Sequence, residues 1–478
     1  MSRRLKSLLA FISLILFVSG CASLDARPAF EAVQKGAQDR IGHTVRWNQG
    51  TKEDAFVATE VRHLLAEKLT EDQAVQIALL NNPRLQGTYE RLGIAQANLV
   101  QAGLLRNPIF HAELRFLEGN PPNTDPILEM GVTQNFLDIL MIPLRKRLAQ
   151  AQLEAVKADV IGLIMDLTVR VKIAFLSFQA AEQSLELQRD ILEAAEASYD
   201  MARRLHRAGN ITALDLAKER SLYEITKPAV ASAELAVLEG REKMNSLMGL
   251  WGDDTEWQVD SHLPPIPPKA MDLSRLEYRA VAKSQDLIIL RERMKAMAAR
   301  AGIDETELVF PELALGAASE REPDGLWNVG PAIAVALPIF DWGQARRAEA
   351  RAHLRRLWNE YTAKAVDLRS SVRSARHRLL TARRQSEHYG RVVLPLAEQI
   401  TLETQLQYNA MQLGVFQLLQ AKHREIQVRH RYILSQRDYW IVRTELEQIL
   451  AGRMIRQTRL DLPGSGDHAM QMGGNEGH

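Results

Sequence analysis

Cys21 is the single cysteine in 478 residues, so an intrachain disulfide is closed to it and no thiolate metal site can be built around it. What is left to a lone thiol is modification, and the residues before it decide which. At the other end, GDHAMQMGGNEGH gathers His468, Met470, Met472 and His478. Imidazole and thioether suit soft cations such as copper and silver. The plainer account of a Gly-rich polar terminus is a flexible tail. Other histidines, among them His63, His111, His353, His377 and His388, show no tight ligand spacing, and His423 and His430 stand one heptad apart. No G-x-S-x-G nucleophile turn, glycine-rich phosphate loop or H-E-x-x-H pair occurs. An enzyme is therefore not expected, nor a cofactor. A net charge of +1 argues against a nucleic-acid partner.

The elements around Cys21 read as an export signal over residues 1–20. Arg3, Arg4 and Lys6 form a basic start, Leu8 to Val18 an apolar run short for a membrane helix, and Ser19 and Gly20 a small-residue step. The order Val18-Ser19-Gly20-Cys21 resembles a bacterial lipobox, in which the cysteine becomes the lipidated first residue. Acyl chains contribute ~0.8 kcal/mol per buried CH₂, and stable anchoring takes more than one chain. The uncharged Ala22 that follows resembles the sorting pattern of outer-membrane lipoproteins.

Beyond a lipidated extension over 21–69, the chain repeats itself. ALLNNPRLQGTYERL faces AVAKSQDLIILRERM, GVTQNFLDIL faces AVALPIFDWG, LHRAGNITALDLAKER faces LQYNAMQLGVFQLLQAK, and LMGL faces ILAG. Leu85 and Leu287 are 202 positions apart, as are His206 and Tyr408, and Asp138 and Asp341 are 203 apart. A unit of about 200 residues, far longer than a solenoid repeat, is expected over 70–262 and again over 271–455. The Pro-rich LPPIPPKA, 263–270, joins the two, and 456–478 is left as a flexible tail.

Each unit should run helix, two strands, long helix, tight turn, return helix. The first helices are expected over 70–105 and 273–301. The first long helix is expected from after Pro143 to Ala208, roughly 100 Å at ~1.5 Å per residue, with Gly162 as a weak point. Val160, Ile164, Leu167, Val171, Ala174, Phe178, Ala181 and Leu185 alternate at four and three, a heptad seam. Pro228 and Pro395 are expected to kink their helices. Strands are expected near 107–117, 127–137, 308–318 and 326–338, because each alternates apolar with polar or small residues over about ten positions, the length and pattern of a transmembrane β-strand. Four strands cannot close a barrel, and an open edge in lipid is prohibitive. Other chains must complete them.

In this order, and twice over, ALLNNPRL, LPIFDWGQARR, RAGNITALDLAKER and LMGLWG resemble the TolC-type outer-membrane channel (outer-membrane efflux protein) family, here of lipoprotein type. The resemblance covers nearly all of the mature chain. It implies a mainly α fold with a small β part: a long periplasmic α-helical coiled-coil barrel, and four transmembrane strands per chain that complete a twelve-stranded barrel in a homotrimer. It implies a Gram-negative outer-membrane protein, mostly periplasmic, acting as a passive duct for heavy metals such as copper, or for drugs. Its partners would be itself, a periplasmic adaptor, an inner-membrane pump and outer-membrane lipid. The alternatives are the exit duct of a type I protein-secretion system and a non-channel coiled-coil lipoprotein.

The resemblance also places the turns after the long helices at the periplasmic tip. The first turn is Gly209-Asn210 with Asp215 on the return helix. The second has Tyr408 before it and Gln417 and Gln420 after it, where some relatives carry acidic groups, so a ring of amides is expected. Met411 stands where the first unit has Gly209. The second turn, near 411–414, is therefore expected to be built differently, around Gly414.

Overall fold

The computed structural model describes residues 24–116, 125–135, 137–309, 313–336 and 339–455. Cys21, His468, Met470, Met472 and His478 lie outside these. The first described elements are helices α1 (Arg27–Ile41) and α2 (Lys52–Leu65), then strand β1 (Lys68–Leu69) and helices α3 (Glu71–Asn81) and α4 (Pro83–Ala102). Strands β2 (Ile109–Arg115) and β3 (Ile127–Asn135) lead into α5 (Asp138–Arg207) and α6 (Ala213–Met248). After β4 (Gln258–Val259) come α7 (Leu276–Lys283), α8 (Gln285–Val309), β5 (Leu313–Arg321) and β6 (Trp327–Val335). Helix α9 (Gln344–His388), a π-helical turn (Tyr389–Val393), α10 (Leu394–Asn409) and α11 (Val415–Ala451) complete the described chain. The mainly helical expectation holds. No helix among the described residues is long and apolar enough to cross a membrane.

The first helix of each half differs from expectation, being two helices instead of one. The breaks fall at Asn82 and Ser284, both extended at ψ 115°. At Asn82 the cause is Pro83, which drives the preceding residue out of the helical region. Ser284 has no proline after it; its hydroxyl instead accepts the Leu287 amide at 3.3 Å, as the Asn82 side chain accepts the Leu85 amide at 3.0 Å. A left-handed glycine fits against each break. Gly249 (φ +71°) and Gly452 (φ +112°) end α6 and α11, and a Cβ there would fall 2.7 Å from the Asn81 carbonyl or run into that of Lys283.

Helix α5 is the staff of the molecule: 70 residues, roughly 105 Å at ~1.5 Å per residue. It starts at Asp138, ahead of Pro143, which lies inside its second turn. Of the eight seam residues, seven are buried and Ala181 is half-buried. Burial extends well beyond that seam, to Ile161, Met165, Phe175, Leu176 and Ala180. A strict heptad stripe serves one partner; α5 packs against α1, α3, α4, α6, α8 and α11. Gly162 is the socket for Arg453, since a Cβ there would meet the guanidinium carbon at 2.8 Å. Arg453 is 1% exposed and donates to Asp166 on α5 at 2.8 Å and to Asp286 on α8 at 2.8 Å, while Gln448 donates to Asp166 at 3.0 Å. Charges this deep persist only when paired and hydrogen-bonded, so this cluster ties the last helix to the first long one. The proline-rich joint is pinned too: the Trp440 indole donates to the Pro264 carbonyl at 2.8 Å and Arg383 to that of Pro268 at 2.9 Å.

Strands β2, β3, β5 and β6 form one antiparallel sheet in that order. The third strand begins at Leu313, later than position 308, because α8 continues to Val309. Register brings the alternating residues into two continuous faces. Phe110 pairs with Val132, Leu114 with Leu128, Leu315 with Ile333 and Leu313 with Val335 on one face. On the other, His111 pairs with Gly131, Thr133 with Gly316, and Ala318 with Gly330.

Candidate functional site

Two places in this fold draw attention among the described residues: the edges of the sheet and the two hairpin tips. Among the described residues β2 pairs only with β3 and β6 only with β5. Each edge strand therefore presents a row of unused amides and carbonyls. The apolar face of the sheet is open, with Phe110 64% and Val329 76% exposed. Across the polar face one row runs Glu113, Glu129, Glu320, Asn328. Arg115 reaches into that row, bonding Glu129 and lying 3.4 Å from Glu113. Sequence reading did not find this row, because only the cross-strand register aligns residues so far apart in the chain.

The first tip follows α5. Its helix end carries the paired bonds of a left-handed cap: Asn210 N–H to the Leu205 carbonyl at 2.9 Å and Gly209 N–H to that of His206 at 3.0 Å, with Gly209 at φ +75°. Thr212 caps α6; its hydroxyl oxygen accepts from the Asp215 amide at 3.2 Å and its O–H donates to Asp215 Oδ2 at 2.7 Å. The Thr212 side-chain bond, with help from Lys218 at 3.4 Å, holds the Asp215 carboxyl below the usual carboxylate range.

The second tip corrects the expectation of a different turn. Met411 itself adopts the left-handed conformation, φ +60°, and the same bonds recur: Gln412 N–H to the Gln407 carbonyl and Met411 N–H to that of Tyr408, both 2.9 Å. Gly414 is the N-cap residue of α11, as Thr212 is of α6, and has no side-chain cap bond. Gln417 folds back over this end, its Oε1 lying 2.9 Å from where a Gly414 Cβ would sit. Backbone register thus prevailed over the residue's own preference; the 202-position offset was the signal that could have shown it. Tyr408 is 36% exposed, Met411 94%, and Gln420 lies exposed one turn beyond Gln417.

The structure brings Gly209, Asn210 and Asp215 into one turn, and Tyr408 and Gln417 into the other, with Gln420 following on α11. The two hairpins lie side by side, since Leu419, Lys422 and Ile426 of α11 line a pocket with Ile191, Ala195 and Ser198 of α5. No group of three or more acidic, His or Cys side chains suited to a metal occurs among the described residues.

A chain that is mostly paired long helices, with a small open-edged sheet at their ends, has the fold of known outer-membrane channels. It is similar to the solved CusC channel (TM-score 0.66, 16% identity, covering 80% of this chain and 92% of that one). It is likewise similar to the Campylobacter jejuni CmeC outer membrane channel (TM-score 0.67, 14% identity, 81% and 87%). Residues 74–250 match the model of the outer membrane efflux protein family. Among curated relatives, the cobalt-zinc-cadmium resistance protein CzcC of Cupriavidus metallidurans is 22% identical over 80% of this chain and 90% of its own. Outer membrane protein OprJ of Pseudomonas aeruginosa is 29% identical over 41% of this chain and 43% of its own.

Proposed function

We propose that this protein is the lipid-anchored outer-membrane channel of a tripartite efflux system. It would serve as a passive duct, with no reaction of its own, between a periplasmic adaptor fed by an inner-membrane pump and the cell exterior. The observation that carries the reading is the four-stranded sheet, apolar on one face and, among the described residues, unpaired at both edges, set on long helices of which one runs roughly 105 Å. In a bilayer each unpaired backbone group costs several kcal/mol. Three copies joined edge to edge would close a twelve-stranded barrel, with the polar face lining the lumen. The near-constant offset, with matching breaks at Asn82 and Ser284 and matching turns at Gly209 and Met411, supports a duplicated unit. Cys21 would carry the lipid. Purified protein should be trimeric in detergent and conduct in planar bilayers; a folded monomer that inserts alone would contradict this. Cys21→Ser should abolish labelling with palmitate.

Cargo is set by pump and adaptor. The name of CzcC points to divalent heavy metals, and His468, Met470, Met472 and His478 suit softer ones. Deleting 466–478 should lower copper or silver tolerance in the native host if the tail handles metal. Drugs remain the other class, as an exit duct for secreted protein remains the other system; whether a proton-driven or an ATP-driven pump co-purifies distinguishes the latter. A coiled-coil strut that spans no membrane is disfavoured by the sheet, whose exposed apolar face would serve nothing in water.

A further inference from the structure

The helices change character directly beneath the sheet. Ile139 and Leu140 at the start of α5, and Phe340 and Trp342 just before α9, are exposed, Phe340 at 91%. Below them come cations: Lys146 and Arg147 on α5, Arg347, Arg351 and Arg355 on α9, all exposed. From the helix starts these residues lie roughly 5 to 17 Å down, at ~1.5 Å per residue. Among the described residues none of the five has a carboxylate within 4 Å. The carboxylates at this level are otherwise engaged. Asp138 holds Arg145 at 3.0 Å and Arg106 at 3.4 Å, Asp341 holds Arg346 at 3.1 Å, Asp304 holds Arg300 at 3.2 Å, and Glu349 faces His353 at 3.5 Å. Among the side chains described on α8, Glu305 is the exposed carboxylate. Five cations without acidic partners, in a chain of net charge +1, are a local excess that the rest of the molecule balances elsewhere.

Beside Lys146 and Arg147 opens a groove of about 560 Å³ between the end of α4 and the start of α5, floored by Leu99, Val100 and Leu104. An apolar trough with a cationic rim fits an amphiphile that has an acyl chain and an anionic head. A second copy of this chain fits it poorly: joining sheet edges would bring the arginines of its α9 toward Lys146 and Arg147, like charge to like. An anion placed between them removes that repulsion.

We propose that this collar binds anionic phospholipid of the leaflet facing the helices. The phosphate would sit among Lys146, Arg147, Arg351 and Arg355, and an acyl chain would lie along Leu99, Val100 and Leu104. The proposal rests on the reading of the sheet as membrane-spanning, because that reading puts the collar at headgroup depth. Exposed aromatics directly above the cations match the order of an interfacial belt.

The test uses full-length protein in neutral detergent, its thermal unfolding followed with added phosphatidylglycerol, phosphatidylcholine or inorganic phosphate. Phosphatidylglycerol should raise the transition well above phosphatidylcholine, and phosphate should not substitute for it. In the variant Lys146→Gln, Arg147→Gln, Arg351→Gln, Arg355→Gln, affinity for phosphatidylglycerol should fall about fivefold for each cation removed. Leu104→Trp, which fills the groove and leaves the charges, should weaken it as well and covers the case of a misfolded quadruple variant. Equal stabilisation by both lipids, by free phosphate, or in both variants overturns the collar. Planar-bilayer conductance of the same preparation separates the two readings: conductance without lipid preference removes the collar and leaves the duct, whereas absent conductance removes the duct.

Discussion

At Met411 the backbone takes a conformation that its side chain disfavours. Left-handed backbone costs a Cβ-bearing residue about 1–2 kcal/mol, and Met411, 94% exposed at the tip, recovers little of that by packing. Met411→Gly should therefore stabilise the second hairpin by about 1 kcal/mol, seen as slower amide exchange across 405–412; unchanged exchange would mean the strain is relieved elsewhere. The two tips should also part company in acid. Asp215 has its carboxyl pKa depressed by the Thr212 bond. Its contribution is present above the unfolded-state pKa and lost as pH falls through the lower folded one. Gln417, at the matching position, does not titrate. The first tip should fray before the second as pH drops below the ordinary carboxylate range. Thr212→Ala should move the Asp215 titration, followed by carboxyl NMR, back up toward that range. The first turn was legible in the sequence from cap chemistry at Gly209 and Thr212, whereas Tyr408, Gln417 and Gln420 were placed by the resemblance and the repeat offset. That Asp215 and Gln417 both fold back over helix starts was not, since capping geometry follows from backbone placement.

Among the elements, the three prolines inside or beside long helices behave differently. Helix α6 runs uninterrupted through Pro228, and α5 through Pro143. At Pro395 the helix instead widens to a π-helical turn over Tyr389–Val393 just before it. Pro395 lacks an amide hydrogen and its ring crowds the carbonyl four residues back; the extra residue of a π-turn accommodates both. The sequence showed the same residue type at all three sites, so its local rule could not tell them apart. What distinguishes the third is Gly390, which lies against Tyr432: a Cβ there would come within 2.8 Å of the ring. Tyr432 is held in turn by Gln436, which donates to its hydroxyl at 3.1 Å. Gly390→Ala should cost about 1–3 kcal/mol by overpacking, read as a lower thermal transition, while the same change at Gly87, with open space around it, should not. Equal effects at the two glycines would show that helix propensity, not the Tyr432 contact, governs the turn. Strand existence was legible from alternation, and strand ends less so, because α8 runs to Val309 and overrides the pattern at positions 308 and 309.

At the scale of the whole molecule, the duct proposed above must be shut at rest and open on demand, and the groups at its hairpin tips would decide how. In a trimer every tip residue occurs three times around the axis. Three converging carboxylates repel unless protonated or bridged by cations, so an acidic constriction is also a cation site. Amides donate and accept, and can close on one another without a counterion. Here the second tip carries Gln417 and Gln420, and the acidic Asp215 belongs to the first tip, where Thr212 and Lys218 already engage it. Gln417 lies over the α11 cap, which leaves the exposed Gln420 as the freer of the two amides. Conductance of the wild-type channel should therefore respond weakly to divalent and trivalent cations. Gln420→Asp should introduce block, and Gln417→Asp together with Gln420→Asp should deepen it, relieved as pH falls and the carboxylates protonate. The change at position 417 carries a second effect, since aspartate there shortens the side chain that now covers Gly414; any loss of tip stability should appear in exchange across 412–418 and not in the cation response. If wild-type channels are instead blocked at low cation concentration, the constriction is acidic after all. Asp215→Asn would then relieve the block, and the gate would belong to the first hairpin.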